Sequence, residues 1–248
     1  MGLSHSPKIV TSGLQIALDT ANVKSYSGTG TNWVDMSSNN LFSSTVYTYP
    51  SFVNSGPSSY FSFINDGVTV NNIYCYSTGL VTNTSTQTTY TRMAWFYMTA
   101  YSAAWSPIFQ NEIGNNSDMG LTITSGGNIQ FRQYTNTGTS GTTSGDYGVV
   151  SSGTVSINRW NHAAIAVNLT ARTVSFYING SLDSTASSIN IIGNSNSNNM
   201  LIGGAGTDSY SGQRMFKGRI SSVSHYNRVL TDTGVLQNYN ATKARFGL

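Results

Sequence analysis

Hydrophobic and polar residues alternate along two neighbouring runs in the second half of the chain. The apolar positions of the two runs are Ala163, Ile165 and Val167, followed by Val174, Phe176 and Ile178. Successive side chains of a strand point to opposite faces of a sheet, so this period of two predicts two strands. The link at 169–173 is short enough for a hairpin, and Asn179-Gly180 is a strong turn signal. The pattern therefore predicts an antiparallel hairpin with one face in a core.

The same alternation predicts strands along most of the remaining chain. The expected strands lie within residues 9–19, 61–63 with 68–70, 88–98, 121–123, 129–131, 200–202 and 220–226. Residues 42–60 contain two prolines, which favour irregular or edge strands. Residues 20–40, 101–107 and 136–148 are expected to contain loops. Roughly a dozen short strands predict a two-sheet antiparallel sandwich.

One short helix is predicted near the C-terminus. Thr231 is a suitable N-cap, and Asp232 favours the positive end of the helix dipole. Val235, Leu236 and Tyr239 are expected to share one face of the helix. Gly234 stands where a capping box would place Glu or Gln, so the helix is expected to be short.

The length and composition fit a single domain. The chain has 248 residues, of which 38% are hydrophobic, and this is enough for one sizeable core. The sequence predicts one domain over residues 1–248, with a sandwich core at about 9–230 and the short helix and tail at 231–248. Only 8% of the residues are charged, but strong alternation and 12% aromatic residues argue against disorder.

Charge and cysteine content argue against several classes of function. The formal net charge is +3 and the basic residues form no run, which argues against nucleic-acid binding. Cys75 is the only cysteine, so neither an intrachain disulfide nor a Cys-rich zinc site is expected. The first residues lack the pattern of an ordinary signal peptide, and no apolar stretch is long enough to span a bilayer. No membrane insertion is therefore expected.

Several fragments resemble laminin G-like domains of the concanavalin A-like type, in the same order as in that family. They are Gly13-Leu14 with Leu18-Asp19, Asp66-Gly67, Trp160 with His162, Tyr177 with Asn179-Gly180, Ile202-Gly203-Gly204, Gly218-Arg219-Ile220 and Tyr226-Asn227-Arg228. The stretch 237–247 resembles the C-terminus of the subset found in bacteriophage structural proteins. The resemblance implies a concanavalin A-like jelly roll, all-β apart from one short C-terminal helix. Such domains usually bind sugars or proteins through rim loops, some of them with calcium.

Some relatives of this fold are glucanases, whose reaction requires two carboxyl groups that flank one bond. On a single strand the two groups would stand at even spacing, but Glu112 has Gln110 and Gly114 at those positions. The three histidines accompany no Gly-x-Ser-x-Gly motif. The sequence therefore predicts a protein that is not an enzyme, with His162 as a structural hydrogen-bonding residue. A glycoside hydrolase is the least favoured alternative, because it would need distant acids to converge.

No cofactor is predicted, although a calcium ion is left open. Calcium needs six or more oxygen ligands, often from several carboxylates. Asp19, Asp35 and Asp66 could reach one rim of the sandwich, but Asp more often caps a turn. Asn65 also stands where the phage pattern has an aromatic residue before the Asp.

Aromatic and amide side chains are abundant, and sugar binding uses both. A sugar ring packs its apolar face on an aromatic ring, and its polar edge bonds to amides and hydroxyls. The candidate glycan platform consists of aromatic residues in or beside loop-like stretches, Trp105, Tyr134, Tyr147 and Tyr210. Each of them could instead pack on a neighbouring loop or subunit. Trp33, Trp95 and Trp160 are expected to anchor the fold.

The residues and the resemblance together predict a bacteriophage virion protein that acts in attachment. It would be a capsid decoration, a fibre component or a tail adhesin, with other virion proteins and surface glycans as partners. A virion protein needs no signal peptide, and a charge-poor, turn-rich sandwich makes a durable exterior module. The alternative is a free-standing bacterial lectin-like carbohydrate-binding module. The sequence leaves open the location on capsid or tail, the glycan, and whether the chain forms a homo-oligomer.

Overall fold

The protein folds as two antiparallel sheets that pack face to face. The computed structural model describes residues 8–37, 43–47, 50–63, 74–77, 88–111, 118–135, 145–189, 200–204 and 216–248. In spatial order, sheet I contains β14 (Ser181–Ala186), β13 (Thr173–Ile178), β12 (Trp160–Asn168), β7 (Thr89–Met98), β16 (Gly218–Tyr226), β5 (Tyr60–Phe63) and β4 (Ser51–Val53), and β1 (Leu14–Asp19) also pairs with β16. Sheet II contains β11 (Gly145–Thr154), β10 (Asn128–Thr135), β9 (Asp118–Thr124), β8 (Trp105–Asn111), β15 (Met200–Ile202), β6 (Tyr74–Ser77), β3 (Ser43–Tyr47) and β2 (Asn32–Val34). The predicted two-sheet sandwich is confirmed.

The predicted central hairpin is formed by β12 and β13. Ala163 lies opposite Ile178 and Val167 lies opposite Val174, so the apolar positions of both runs share one face. That face packs into the core between the sheets. The two residues of Asn179-Gly180 both have positive φ, as the favoured two-residue hairpin turns require, and they lead into β14.

The core between the sheets is dominated by aromatic side chains. Its fully buried phenylalanines come from both sheets and include Phe61, Phe96, Phe109, Phe131 and Phe176. Burying a side chain of this size contributes about 1.5–3 kcal/mol relative to its exposure. Trp33 is completely buried, with its ring centre 4.9 Å from that of Phe61. The expected anchoring role of Trp33 is therefore confirmed.

Two polar side chains face the core from neighbouring strands of sheet I. Arg92 of β7 lies opposite His225 of β16, and both are completely buried. The guanidinium carbon of Arg92 lies 5.0 Å from the ring centre of Tyr90 and 5.4 Å from that of Phe109. These ring faces replace part of the hydration that the cation loses. Burial, followed by the charge of Arg92, lowers the pKa of His225, so its imidazole is neutral in the folded protein at pH 7.

Helix α1 (Asp232–Thr242) covers part of the outer face of sheet I. The backbone N–H of Gly234 donates to the hydroxyl of Thr231 at 3.2 Å, which confirms the predicted N-cap. The helix has 11 residues and is followed by a 3-10 helix (Lys243–Phe246), so the predicted short C-terminal helix is confirmed, although Leu236 is 42% exposed and does not share the buried face of Val235. Its inner face stabilises it, because Asn238 is buried against the sheet. Within the described residues, no helix has the length and apolar character needed to cross a bilayer.

The structure places strands in three of the expected loop regions. Strand β2 lies in the region 20–40, β8 begins within 101–107, and β11 begins within 136–148. Pro107 lies inside β8 next to a register shift with β9, where a missing backbone N–H is tolerated. The strand expected at 68–70 lies outside the described residues.

Replacing Gly218 with alanine is expected to lower the free energy of unfolding by about 2 kcal/mol. Gly218 has φ of 144° at the start of β16, and a Cβ there would collide with the carbonyl oxygen of Tyr97 in β7. Urea unfolding of Gly218→Ala measures the loss. Gly56→Ala is the control, because Gly56 also has positive φ but has open space around a Cβ. Equal losses in the two variants would show that the collision is not the cause.

Candidate functional site

The outer face of sheet II carries a group of polar and aromatic side chains. Ile129 and Phe131 of β10 face the core, so the intervening Gln130 and the following Arg132 lie on the outer face. The strand register places residues of β8 and β9 on the same face. We call this group of outward-facing side chains the Trp105 face; it consists of Trp105, Gln110, Thr122, Gln130 and Arg132.

Arg132 stacks on Trp105 across the intervening strand β9. The guanidinium carbon lies 3.8 Å from the centre of the indole ring. Arg132 is buried, whereas Trp105 is partly exposed. The residues opposite Arg132 on both neighbouring strands are glycines, Gly120 and Gly148, so no side chain flanks the arginine stem there. The result is a flat aromatic surface next to guanidinium N–H groups.

Amide and hydroxyl groups lie on the same face. Gln110 is completely buried, and its Nε2 donates to the carbonyl oxygen of Gly204 at 3.2 Å. Its Oε1 is buried and has no hydrogen-bond partner among the residues that the structure describes. The hydroxyl of Thr122 lies 3.2 Å from Oε1 of Gln130. Gln110 and Thr122 are completely buried, so among the amide and hydroxyl groups of this face only Gln130 is partly exposed.

Three of the four aromatic residues predicted as a glycan platform lie on different strands of sheet II. Trp105 and Tyr134 pair with opposite ends of β9, a seven-residue strand, and are therefore about 20 Å apart. Tyr147 lies in β11, beside the strand of Tyr134, and Tyr210 lies outside the described residues. The first three lie near the ends of strands, beside the expected loops, and their role in binding stays a prediction.

Sequence reasoning missed Arg132 and Gln110. The signal for Arg132 is the alternation in 128–135, where polar residues separate Ile129 and Phe131 and indicate a polar outer face. No comparable signal exists for Gln110, because a register shift in β8 moves it to the outer face. The contact between Arg132 and Trp105 depends on the strand order, which local patterns do not encode.

A cavity of about 80 Å³ lies between sheet I and helix α1, and His162 lines it. Burial lowers the pKa of His162 to about 3. Its Nδ1 has no hydrogen-bond partner in the described part of the chain, and the ring packs against Trp95 and Tyr239 at centroid distances of 5.2 Å and 5.8 Å. The backbone of His162 makes the hydrogen bonds instead, with Asn179. His162 is therefore a structural residue, but the predicted hydrogen bonding comes from its backbone.

Asp19 and Asp35, two of the residues considered for calcium, bind protein groups. Asp19 forms a two-pronged ion pair with Arg245, at 2.6 Å and 2.7 Å. Asp35 accepts from the backbone N–H of Ala17 at 2.8 Å. Asp66 lies outside the described residues. Over the described ranges, no group of three or more His, Cys, Asp or Glu side chains is arranged to hold a metal ion.

Asp183 and Asp232 also have structural partners. Asp183 accepts from the backbone N–H of Gly153 at 2.9 Å, which joins the edge of sheet I to the edge of sheet II. Asp232 accepts from the hydroxyl of Tyr177 at 2.8 Å and thereby ties the start of α1 to β13. Glu112 lies outside the described residues. The carboxylates of Asp19, Asp35, Asp183 and Asp232 are thus bound to groups of the protein itself.

The chain belongs to the concanavalin A-like lectin/glucanases superfamily, whose family model matches residues 71–236. This match covers more than half of the chain and agrees with the two-sheet sandwich. No protein of curated function matches the chain by sequence.

Solved structures share the fold at low sequence identity. Domain 4 of AbnA, a GH43 extracellular arabinanase from Geobacillus stearothermophilus in complex with arabinotriose, matches with a TM-score of 0.66 and 15% identity, over 93% of this chain and 100% of that one. The receptor-binding domain of botulinum neurotoxin type G matches with a TM-score of 0.60 and 17% identity, over 92% of this chain and 51% of that one. Trypanosoma rangeli sialidase in complex with sialic acid matches with a TM-score of 0.63 and 13% identity, over 98% of this chain and 36% of that one. The chain thus spans about a third of the sialidase.

Proposed function

We propose that the protein is a non-catalytic carbohydrate-binding protein of a bacteriophage virion and that the Trp105 face binds the sugar. The observation that carries this proposal is the partly exposed ring of Trp105, stacked on Arg132 at 3.8 Å on the same face of sheet II as the partly exposed amide of Gln130. An indole ring takes the apolar face of a sugar, and guanidinium and amide groups bond to its hydroxyls. The face therefore combines both requirements of sugar recognition.

The relatives with the same fold support a binding role. Arabinotriose is bound in the structure that contains domain 4 of the arabinanase, which this chain matches over its whole length. The matching part of the botulinum neurotoxin is a receptor-binding domain. The bound sugar in the first relative and the receptor-binding domain in the second agree with the proposed role.

The absence of catalysis is supported by the surroundings of the described carboxylates. A glycosidase needs one carboxyl group as acid and a second as nucleophile or base, both directed at the same bond. Asp19 and Asp183 instead bind Arg245 and a backbone N–H, and Asp232 binds a tyrosine hydroxyl. The proposal therefore predicts that a bound oligosaccharide is recovered intact.

A glycan array followed by product analysis tests binding and catalysis together. The expected result is binding of one or more glycans, with no new reducing ends after prolonged incubation. If the wild type released reducing ends and Glu112→Gln did not, the protein would be a hydrolase and the proposal would be contradicted. A complete lack of binding across the array would contradict the glycan-binding role.

The virion assignment rests on the resemblance of residues 237–247 to phage structural proteins, and it is tested separately. Mass spectrometry of purified particles is expected to detect the protein at a defined copy number. Glycan binding by a protein that is absent from particles would instead support the free-standing lectin-like module.

Replacing Trp105 with alanine is expected to weaken glycan binding at least tenfold, which corresponds to about 1.4 kcal/mol. The variant loses the flat apolar surface and releases the guanidinium of Arg132 from its stacked position. Titration calorimetry with the best glycan of the array measures the change. Trp105→Phe should retain more of the affinity than Trp105→Ala, because it keeps a ring. Leu182→Ala removes an exposed apolar side chain from β14 of sheet I and should leave the glycan affinity unchanged. Equal affinities of wild type and Trp105→Ala would exclude this face as the site.

A further inference from the structure

A second patch of side chains lies on the outer face of sheet I, on the side of the sandwich opposite the Trp105 face. It consists of Tyr60 in β5, Tyr97 in β7, Trp160 in β12 and Arg219 in β16, and is called the Arg219 patch below. Arg219 lies opposite Tyr97, which in turn lies opposite Trp160, so these three residues form a line across neighbouring strands. All four side chains are partly exposed. The patch is therefore accessible beside the region that the C-terminal helices cover.

The guanidinium of Arg219 is held against two tyrosine rings. Its carbon lies 4.8 Å from the ring centre of Tyr60 and 4.5 Å from that of Tyr97. Trp160 meets both tyrosines edge to face, with centroid distances of 6.0 Å and 5.9 Å. These contacts fix the orientation of the guanidinium plane before any ligand arrives.

The guanidinium N–H groups of Arg219 have no partner among the residues that the structure describes. No hydrogen bond or ion pair within those ranges joins its side chain to another group. Arg245 on the same side of the sandwich differs, because Asp19 occupies its guanidinium at 2.6 Å and 2.7 Å. A preoriented guanidinium with unpaired donors matches the geometry of a carboxylate, which it binds through two parallel hydrogen bonds.

Further positive charge lies close to the patch along the chain. Lys217 precedes Arg219 by two positions and is partly exposed, and Arg159 directly precedes Trp160 and is exposed. No acidic residue in the described part of the chain pairs with either cation. The local potential therefore favours an anionic ligand.

We propose that the Arg219 patch binds a carboxylated saccharide, that is, a glycan containing uronate-type units. The guanidinium of Arg219 takes the carboxylate, and the rings of Trp160 and Tyr60 contact the apolar face of the sugar. Ser62 lies opposite Arg219 on β5 and offers a hydroxyl to the sugar edge. A small inorganic anion would use the arginine but not the aromatic rings, so the combination favours an anion carried on a ring.

Two other anionic partners fit the patch less well. Nucleic acids are held by many phosphate contacts, whereas this patch offers one fixed guanidinium and two nearby cations. Peptides usually add to a free strand edge or lie in a groove. The Arg219 patch lies across the face of strands that are paired on both sides, so it provides no free edge.

The test uses trigalacturonic acid and its methyl ester as matched probes, because esterification removes the charge of each carboxyl group and adds only a methyl group to it. Titration calorimetry with the full chain at low salt is expected to show binding of the acid and at least tenfold weaker binding of the ester. Arg219→Lys keeps the charge but loses the paired hydrogen bonds, and should weaken binding of the acid at least fivefold. Circular dichroism and thermal melting confirm that the variant is folded.

Two control variants distinguish binding at the Arg219 patch from binding elsewhere on the protein surface. Lys24→Gln removes an exposed cation remote from the patch in sequence and should leave the affinity unchanged. Trp105→Ala should also leave it unchanged, which distinguishes failure of this proposal from failure of the proposed Trp105 face. Lack of binding by wild type, equal affinity for acid and ester, or full affinity in Arg219→Lys would each overturn the proposal. Tighter binding of a single-stranded oligothymidylate would overturn it in favour of phosphate recognition.

Discussion

Lowering the pH from 7 to 4 is expected to destabilise the protein by about 3 kcal/mol through His162 alone. The pKa of His162 is about 3 in the fold because its ring is buried, whereas in the unfolded chain it is the ordinary 6.5. Below pH 6.5 the unfolded state binds a proton that the folded state excludes. Stability therefore falls from about pH 6.5 down to about pH 3, by about 1.4 kcal/mol per pH unit. The pKa of His225 is also lowered by burial, so His225 adds a further loss of stability as the pH falls below 6.5.

Urea unfolding between pH 7 and pH 4 measures this dependence. His162→Gln removes one titrating group, so the slope should decrease by about 1.4 kcal/mol per pH unit even if the variant is less stable at pH 7. His225→Gln should decrease the slope in the same way. An unchanged slope in both variants would show that neither imidazole is held neutral by burial.

Replacing Trp95 with alanine is expected to lower the free energy of unfolding by about 3–5 kcal/mol. Trp95 lies on the outer face of sheet I and is 2% exposed beneath the C-terminal helices. Its ring stacks on Phe246 at 4.3 Å and on Tyr239 at 5.5 Å, and its Nε1 donates to the hydroxyl of Thr242 at 2.8 Å. The substitution therefore removes the main contact between β7 and the C-terminal segment.

Besides lowering the overall stability, loss of the Trp95 ring should loosen the C-terminal segment. In Trp95→Ala, the segment 231–248 is expected to become accessible to protease under conditions where the wild type is resistant. Leu236→Ala changes the exposed side of the same helix and should alter stability by no more than about 0.5 kcal/mol. Equal protection of the segment in wild type and Trp95→Ala would show that Trp95 does not hold the helix.

The sequence predicted those parts of the fold that depend on local alternation. The hairpin β12–β13 has the predicted strands and facing positions, since each apolar side chain recurs every second residue over an uninterrupted run. Helix α1 starts where predicted because Thr231 caps it locally, but its extent depends on burial of Asn238 against β7 and β16, which is a tertiary effect. The region 101–107 was expected to contain a loop, whereas β8 begins at Trp105 and includes Pro107 next to a register shift.

The candidate binding surfaces were less predictable than the fold. Arg132 and Trp105 are 27 positions apart in sequence, 132 minus 105, and meet only because β9 lies between their strands. The Arg219 patch collects side chains from β5, β7, β12 and β16, which are distant in sequence and adjacent in sheet I. Local patterns specify which side chains face outward, but only the strand order decides which of them become neighbours.

A crystal structure of the protein with the best-binding glycan of the array tests the central claim most directly. The account predicts an intact sugar whose ring packs on Trp105, with its hydroxyls bonded to polar groups of the Trp105 face such as the amide of Gln130. A sugar bound only at another surface, or a cleaved product held between two carboxylates, would contradict it.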